Sequence, residues 1–158
     1  MANSPIKSSL SAADKEITGN ALQATLADLV DLSLIAKQAH WNVVGTNFRS
    51  AHLQLDELTA TARQYVDEVA ERANAIGVSP NGKAKTVLAS SGAPEYPDGW
   101  QPVEATVAAI VEVLSALIER LRKRIDETDK SDLVTQDLLI EITRALEEAH
   151  WMWQAQQA

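Results

Sequence analysis

The stretch Lys37-Gln38-Ala39-His40-Trp41-Asn42-Val43-Val44-Gly45-Thr46-Asn47-Phe48-Arg49-Ser50-Ala51-His52-Leu53-Gln54-Leu55-Asp56 decides the fold, because it holds a helix end, a turn and a helix start. Upstream, Leu22, Leu26, Leu29, Ser33, Ala36 and His40 recur at spacings of three and four, the buried stripe of a helix over 14–42. Gly45 and Asn47 break that pattern and mark a short loop. Downstream the helical pattern resumes over 49–76 and stops at Gly77, which suits the left-handed position just past a helix end. The quoted stretch is therefore the turn of an antiparallel helical hairpin.

Residues 77–102 contrast with both helices, holding four of the six glycines and four of the five prolines. Within them Lys83–Ser90 predicts a short helix. Beyond them a third helix runs over Val103–Glu127, and Ser131 is placed to cap a fourth that reaches Ala155. A long connection between the second and third helices is what a four-helix bundle with a crossover requires. Helices of about 25 residues each span about 35–40 Å, which favours a bundle over a stacked helical array. The expectation is an all-α bundle over 14–158, with a short helix in the connection between helices 2 and 3, behind a flexible tail over 1–13. No repeat, low-complexity tract or strand pattern is present.

The composition agrees. Nearly half of the 158 residues are apolar but only 4% are aromatic, so the core is mostly Leu, Val, Ile and Ala. Without cysteine there are no disulfides, thiolate metal sites or cysteine nucleophiles, and any metal must be held by imidazole and carboxylate. The most apolar stretch, Val103–Leu121, is interrupted by Glu104, Glu112 and Glu119, which excludes a membrane span. With no secretory leader visible, a cytoplasmic protein is expected. The net charge of −8 disfavours nucleic acid and membrane surfaces and attracts cations.

The chemistry gathers at the hairpin. With a turn near Thr46, His40 and His52 lie equally far from it and meet at one height between antiparallel helices. Asp56, four residues after His52, shares its face. Asp67 and Glu71 form a second such pair further along the same helix. Asp56 and Asp67 share that face to within about 20° but stand about 16 Å apart along the axis, too far for one ion to bridge. Yet the pairs His52/Glu71 and Asp56/Asp67 have a common midpoint, between Thr61 and Ala62. If two copies of this helix pack antiparallel about a two-fold axis there, His52 faces Glu71 and Asp56 faces Asp67 across it. Two identical sites then form, each with His40, His52 and Asp56 from one chain and Asp67 and Glu71 from the other. Mixed imidazole and carboxylate ligands suit divalent iron, zinc or manganese.

The strings Lys37-Gln-Ala-His40-Trp41-Asn42-Val-Val-Gly45-Thr-Asn-Phe48, Ala51-His52-Leu-Gln-Leu-Asp56-Glu57 and Asp67-Glu-Val-Ala-Glu71-Arg72 closely resemble the Dps mini-ferritins of the ferritin-like superfamily. The resemblance covers the whole chain in length and helix layout. It implies a ferritin-like four-helix bundle and a ferroxidase centre for iron at the five matching positions. It further implies a hollow dodecamer of two-fold dimer units. Fe(II) would be oxidised by hydrogen peroxide or dioxygen, and the ferric mineral stored inside, which limits oxidative damage. It also implies that Trp41 lies near the iron and handles an electron, and that Asp132 and Asp137, in Ser131-Asp132-Leu-Val-Thr135-Gln-Asp137, line a pore for ions.

Plainer readings stand beside these. Trp41 packs at its helix end, and Trp100, Trp151 and Trp153 serve packing or interfaces. Glu147 and His150 have Glu-x-x-His spacing, but di-iron bundles need two such pairs, so His150 is structural. The run Asp126, Glu127, Asp129, Asp132, Asp137 and Glu141 also suits a helix N-terminus. The chain departs from DNA-binding members of the family, which often carry a lysine-rich extension. Residues 1–13 hold only one basic side chain, Lys7, and the last eight residues hold none, so DNA binding is expected to be weak or absent. The competing functions are DNA compaction and metal-dependent hydrolysis of an amide or ester.

Overall fold

The computed structural model describes residues 4–158. The first three residues of the expected tail lie outside the described residues. Helix α1 spans Ala12–Asn42, α2 Phe48–Ala75, α3 Ala84–Ser90, α4 Val103–Thr128 and α5 Leu133–Gln154, followed by a 3-10 turn at Ala155–Gln157. The four long helices match the expected ones to within two residues at nearly every end.

Local chemistry sets those ends. The Ser11 side chain accepts from the Asp14 backbone N–H and caps α1. At the end of α2, Gly77 takes φ +76°, its N–H donates to the Asn74 oxygen and the Val78 N–H donates to the Ala73 oxygen. That pair of bonds is a Schellman ending, which a side chain at Gly77 would strain. A Cβ there would also fall 2.8 Å from the Ile6 backbone oxygen, because the segment before α1 lies against this turn. At the fourth long helix the cap is Asp132 rather than the expected Ser131: the Asp132 carboxylate accepts from the Val134 N–H. The Ser131 hydroxyl instead donates to the Thr128 backbone oxygen and accepts from Thr18, tying α5 to the start of α1.

The chain folds as two hairpins, α1–α2 and α4–α5, and the crossover between them runs back along the bundle, so that α4 starts beside the end of α1. There Val43–Val44 (β1) pairs in parallel with Gln101–Pro102 (β2). Two residues are too few to show an alternating pattern, which is why no strand was expected. One end of the bundle thus carries His40, His52 and the C-terminal turn, which Gln156 joins to Gln54. The other carries the end of α2 and the start of α5.

The expected α1 stripe of Leu22, Leu26, Leu29, Ser33, Ala36 and His40 is buried throughout. It packs with Leu55, Ile110, Leu114, Leu117, Leu139, Ile142 and Leu146. The core also holds one ionic junction. Asp28 accepts from Arg120 Nε at 2.9 Å, Arg124 at 2.7 Å and the Gly92 backbone N–H at 2.9 Å, pinning the crossover to α1 and α4. Burial pulls the Arg124 guanidinium below its usual range, and the Asp28 charge opposes that shift.

Candidate metal centre

The hairpin turn carries its strain at Asn47, in the left-handed region at φ 62°, and at Gly45, at φ 108°. Asn tolerates that conformation better than branched residues do. The turn brings the two imidazoles together: their ring centroids are 3.7 Å apart and the planes are within 21°. Phe48 closes one side, edge-on to His52 with centroids 6.2 Å apart.

Their hydrogen bonds are reciprocal. His40 Nδ1 lies 2.9 Å from the His52 backbone oxygen, and His52 Nδ1 lies 2.9 Å from the His40 backbone oxygen. A carbonyl oxygen only accepts, so each Nδ1 carries the proton and donates it. In the neutral rings both Nε2 atoms are then left with lone pairs. Metal-binding histidines are commonly oriented in this way, by a bond from the other ring nitrogen to a carbonyl or carboxylate.

Asp56 stands beside them, with Oδ1 3.3 Å from His40 Nδ1. That oxygen also accepts from Lys37 Nζ at 2.5 Å. The Lys37 hydrogen bond, aided by the imidazoles, holds the Asp56 carboxyl below the usual carboxylate range, although burial works against it. Lys37 was not singled out from the sequence, though its place three residues before His40 puts it on the same face.

Asp67 and Glu71 are exposed and lie on the later half of α2, away from the histidine pair. Among the described residues, no three His, Asp or Glu side chains of one chain close into a group that holds a metal. On this helix His52 and Glu71 are separated by about 28 Å at 1.5 Å per residue.

Next to Glu71, Arg72 reaches α5. Its Nε donates to Thr135 Oγ1 at 3.0 Å and its Nη2 to Asp132 Oδ2 at 2.5 Å. Burial raises the Asp132 pKa, but the bonds from Thr135 and Arg72 outweigh it, and the net shift is downward. Asp132 is therefore engaged as a buried anchor and cap, while Asp137 is exposed on α5.

The tryptophans divide. Trp153 is fully buried, whereas Trp41 is 68% exposed and Trp100 is 80% exposed. Trp41 does not bury its ring within its own chain: one residue past His40, it is turned about 100° around α1. It borders an open groove of about 780 Å³ with Leu34 and Leu88 between α1 and α3. Glu147 is paired with Arg122 and makes no bond to His150. Among the described residues no helix is long and apolar enough to cross a membrane.

Comparison with known proteins bears on this arrangement. A family model described as a ferritin-like domain matches residues 19–158. The "DNA protection during starvation protein" of Mycolicibacterium smegmatis is 39% identical over 134 residues, covering 85% of this chain and 73% of its own length. The "fine tangled pili major subunit" of Haemophilus ducreyi is 36% identical over 146 residues, covering 92% of this chain and 77% of its own length. Among solved structures, Mycobacterium smegmatis Dps in a tetragonal form superposes with a TM-score of 0.90 at 36% identity, covering 94% of this chain and 90% of that one.

Proposed function

The chain belongs to the Dps mini-ferritins of the ferritin-like family, and on that premise we propose that it oxidises ferrous iron at a site shared between two copies and stores the ferric product. The observation that carries this reading is the pair of reciprocal Nδ1 bonds, which leave both imidazole Nε2 atoms free at the one place where Asp56 stands beside them. Asp67 and Glu71 of a second copy complete the donor set. Imidazole and carboxylate together suit ferrous iron, and the hard carboxylates accommodate the rise in charge on oxidation.

Iron is the substrate here. With hydrogen peroxide as oxidant, two ferrous ions each lose one electron, the O–O bond breaks, and two protons complete two waters. Taking both electrons at one centre avoids release of a hydroxyl radical, which is the protective sense of the activity. Dioxygen is the slower alternative oxidant. The ferric product collects as mineral within a dodecameric shell built from two-fold dimers, in a cytoplasmic protein that binds DNA weakly or not at all. At the pore expected near the start of α5, Asp137 supplies the ion-guiding charge, since Asp132 is committed to Arg72 and Thr135.

The test follows ferric absorbance after ferrous iron and peroxide are mixed with the assembled protein. Asp67→Ala and Glu71→Ala each slow the reaction by at least about tenfold, the loss typical when a group that orients or binds the metal is removed. Normal rates in both variants overturn the assignment.

A further inference from the structure

We propose that the Asn81-Gly82 dipeptide is a site of self-modification: the Gly82 backbone nitrogen attacks the Asn81 side-chain amide, and the resulting isoaspartate loosens the crossover from α1. Three observations on the chain support it, and none of them involves the metal site.

The first is sequence. Of the six asparagines, Asn81 alone is followed by glycine. A Cβ on the following residue crowds the attack of its nitrogen, and glycine has none. The second is placement. Asn81 and Gly82 are both exposed and lie in the irregular segment before α3. Among the described residues no hydrogen bond holds the Gly82 N–H. Asn20, Asn42 and Asn74 by contrast sit in helices, where the next N–H is committed to a carbonyl. Asn47 precedes Phe48, whose N–H donates to the Gly45 oxygen. The third is the pose of the amide. Asn81 Oδ1 accepts from the Lys83 N–H at 3.2 Å, an Asx turn that carries the side chain forward over the Gly82 peptide. That bond also draws electron density from Cγ, the atom to be attacked.

The reaction needs only water. As the Gly82 nitrogen loses its proton and bonds to Asn81 Cγ, the Cγ–Nδ2 bond breaks and ammonia leaves, closing a five-membered imide. Water then opens that ring at either carbonyl. Opening at Cγ gives aspartate. Opening at the main-chain carbon gives isoaspartate, in which the backbone runs through Cβ and Cγ. The place matters because both Asn81 backbone groups are in use. Its N–H donates to Gln23 Oε1 at 2.9 Å and its carbonyl oxygen accepts from Gln23 Nε2 at 3.0 Å, a two-bond clamp of the crossover on α1. In isoaspartate the oxygen that Gln23 holds belongs to a free carboxylate, and the chain leaves for Gly82 through Cβ instead. The clamp then no longer sets the direction in which the chain enters α3.

Incubating the assembled protein in mildly alkaline buffer and mapping its tryptic peptides by mass spectrometry tests this. Residues 73–83, released at Arg72 and Lys83, carry both Asn74 and Asn81, so a helical asparagine serves as the internal standard. Asn81 gains about 1 Da, OH in place of NH2, at least about tenfold faster than Asn74. The product is mostly isoaspartate, which an isoaspartyl methyltransferase labels. Asp98-Gly99 is distinguishable, since it lies in another peptide and isomerises without a change in mass. Gly82→Ala slows the conversion at least about tenfold. That variant keeps the fold, because nothing lies within 4 Å of the added Cβ and the backbone there is outside the left-handed region. An Asn81 as inert as Asn74, an equal rate in Gly82→Ala, or aspartate formed without isoaspartate overturns the proposal. In converted shells, amide hydrogen exchange over α3 rises at least about fivefold as local opening becomes easier. Exchange unchanged there overturns the loosening.

Discussion

Two inactive variants mixed together should restore activity to a level set by geometry. Take His52→Ala and Glu71→Ala, each of which disables every site in its own homodimer. A site needs His52 from one chain and Glu71 from the other, because about 28 Å of helix separates the two within a chain. In a dimer of one His52→Ala chain with one Glu71→Ala chain, one site has lost both groups and the other has lost neither. Co-assembled at equal amounts, the two variants form mixed dimers in about half of all cases, so about a quarter of all sites are intact, as two-fold pairing requires. The assay is the initial rate of ferric absorbance with peroxide, measured after the variants are co-expressed and the shells purified by two different tags. Mixing preformed shells without exchange should restore nothing, which controls for trace activity. No recovery in properly co-assembled shells would refute the shared site. Recovery near the unaltered rate would also refute it, since no more than one site in two can be intact even if every dimer is mixed.

Removing the charge at Asp132 by Asp132→Asn leaves a capping side chain but weakens the bond with Arg72, and a thermal melt at neutral pH should show a loss of about 1–3 kcal/mol. The Asp132 pKa is depressed in the folded chain, so its contribution is present above the ordinary carboxylate pKa and is lost as pH falls through the folded value. The stability gap between the two proteins should therefore narrow below about pH 4 and remain flat above it. Gly92→Ala places a Cβ 2.4 Å from Arg120; with that side chain displaced from Asp28, melting should show a cost of about 1–2 kcal/mol, while Arg124 stays paired. Trp153→Ala empties a fully buried site and should cost about 3–5 kcal/mol by the same measurement. A gel-shift series should show no DNA retardation at about 150 mM salt, as few phosphate contacts give weak binding.

The long helices were legible because each buries one stripe, and a repeating stripe leaves a repeating sequence. The histidine pair was legible for a related reason: a helix is a ruler, and equal distances from a turn become equal heights. What the ruler does not measure is which polar partner a side chain takes once it arrives. Ser131 and Asp132 are adjacent and both are good caps, and only the packing of Ser131 against Thr18 leaves the capping place to Asp132. Lys37 reads as one more surface lysine until the hairpin closes and sets it on Asp56. The same packing commits Asp132 to Arg72, so the acidic run at the start of α5 is not the uniform field of free carboxylates its sequence suggests.

Trp41 is the most instructive departure, because its exposure is informative about the assembly. A tryptophan at a helix end normally buries its ring, yet this one stands open beside Leu34 and the 88% exposed Leu88. Apolar side chains gathered around one groove, next to the histidine pair, are costly to leave in water. The shared-site proposal offers a cover for it: a second copy that brings Asp67 and Glu71 to His40 comes to the residue next to Trp41 in the chain. Trp41→Ser then has a signature that separates the two roles offered for this residue. As an interface residue it should weaken the dimer, seen as dissociation on dilution in analytical ultracentrifugation, while changing the melting of the isolated chain by less than about 0.5 kcal/mol, as for an exposed position. An intact assembly with slowed iron oxidation would instead make the ring a participant in electron transfer. A variant that neither dissociates nor slows would remove Trp41 from both.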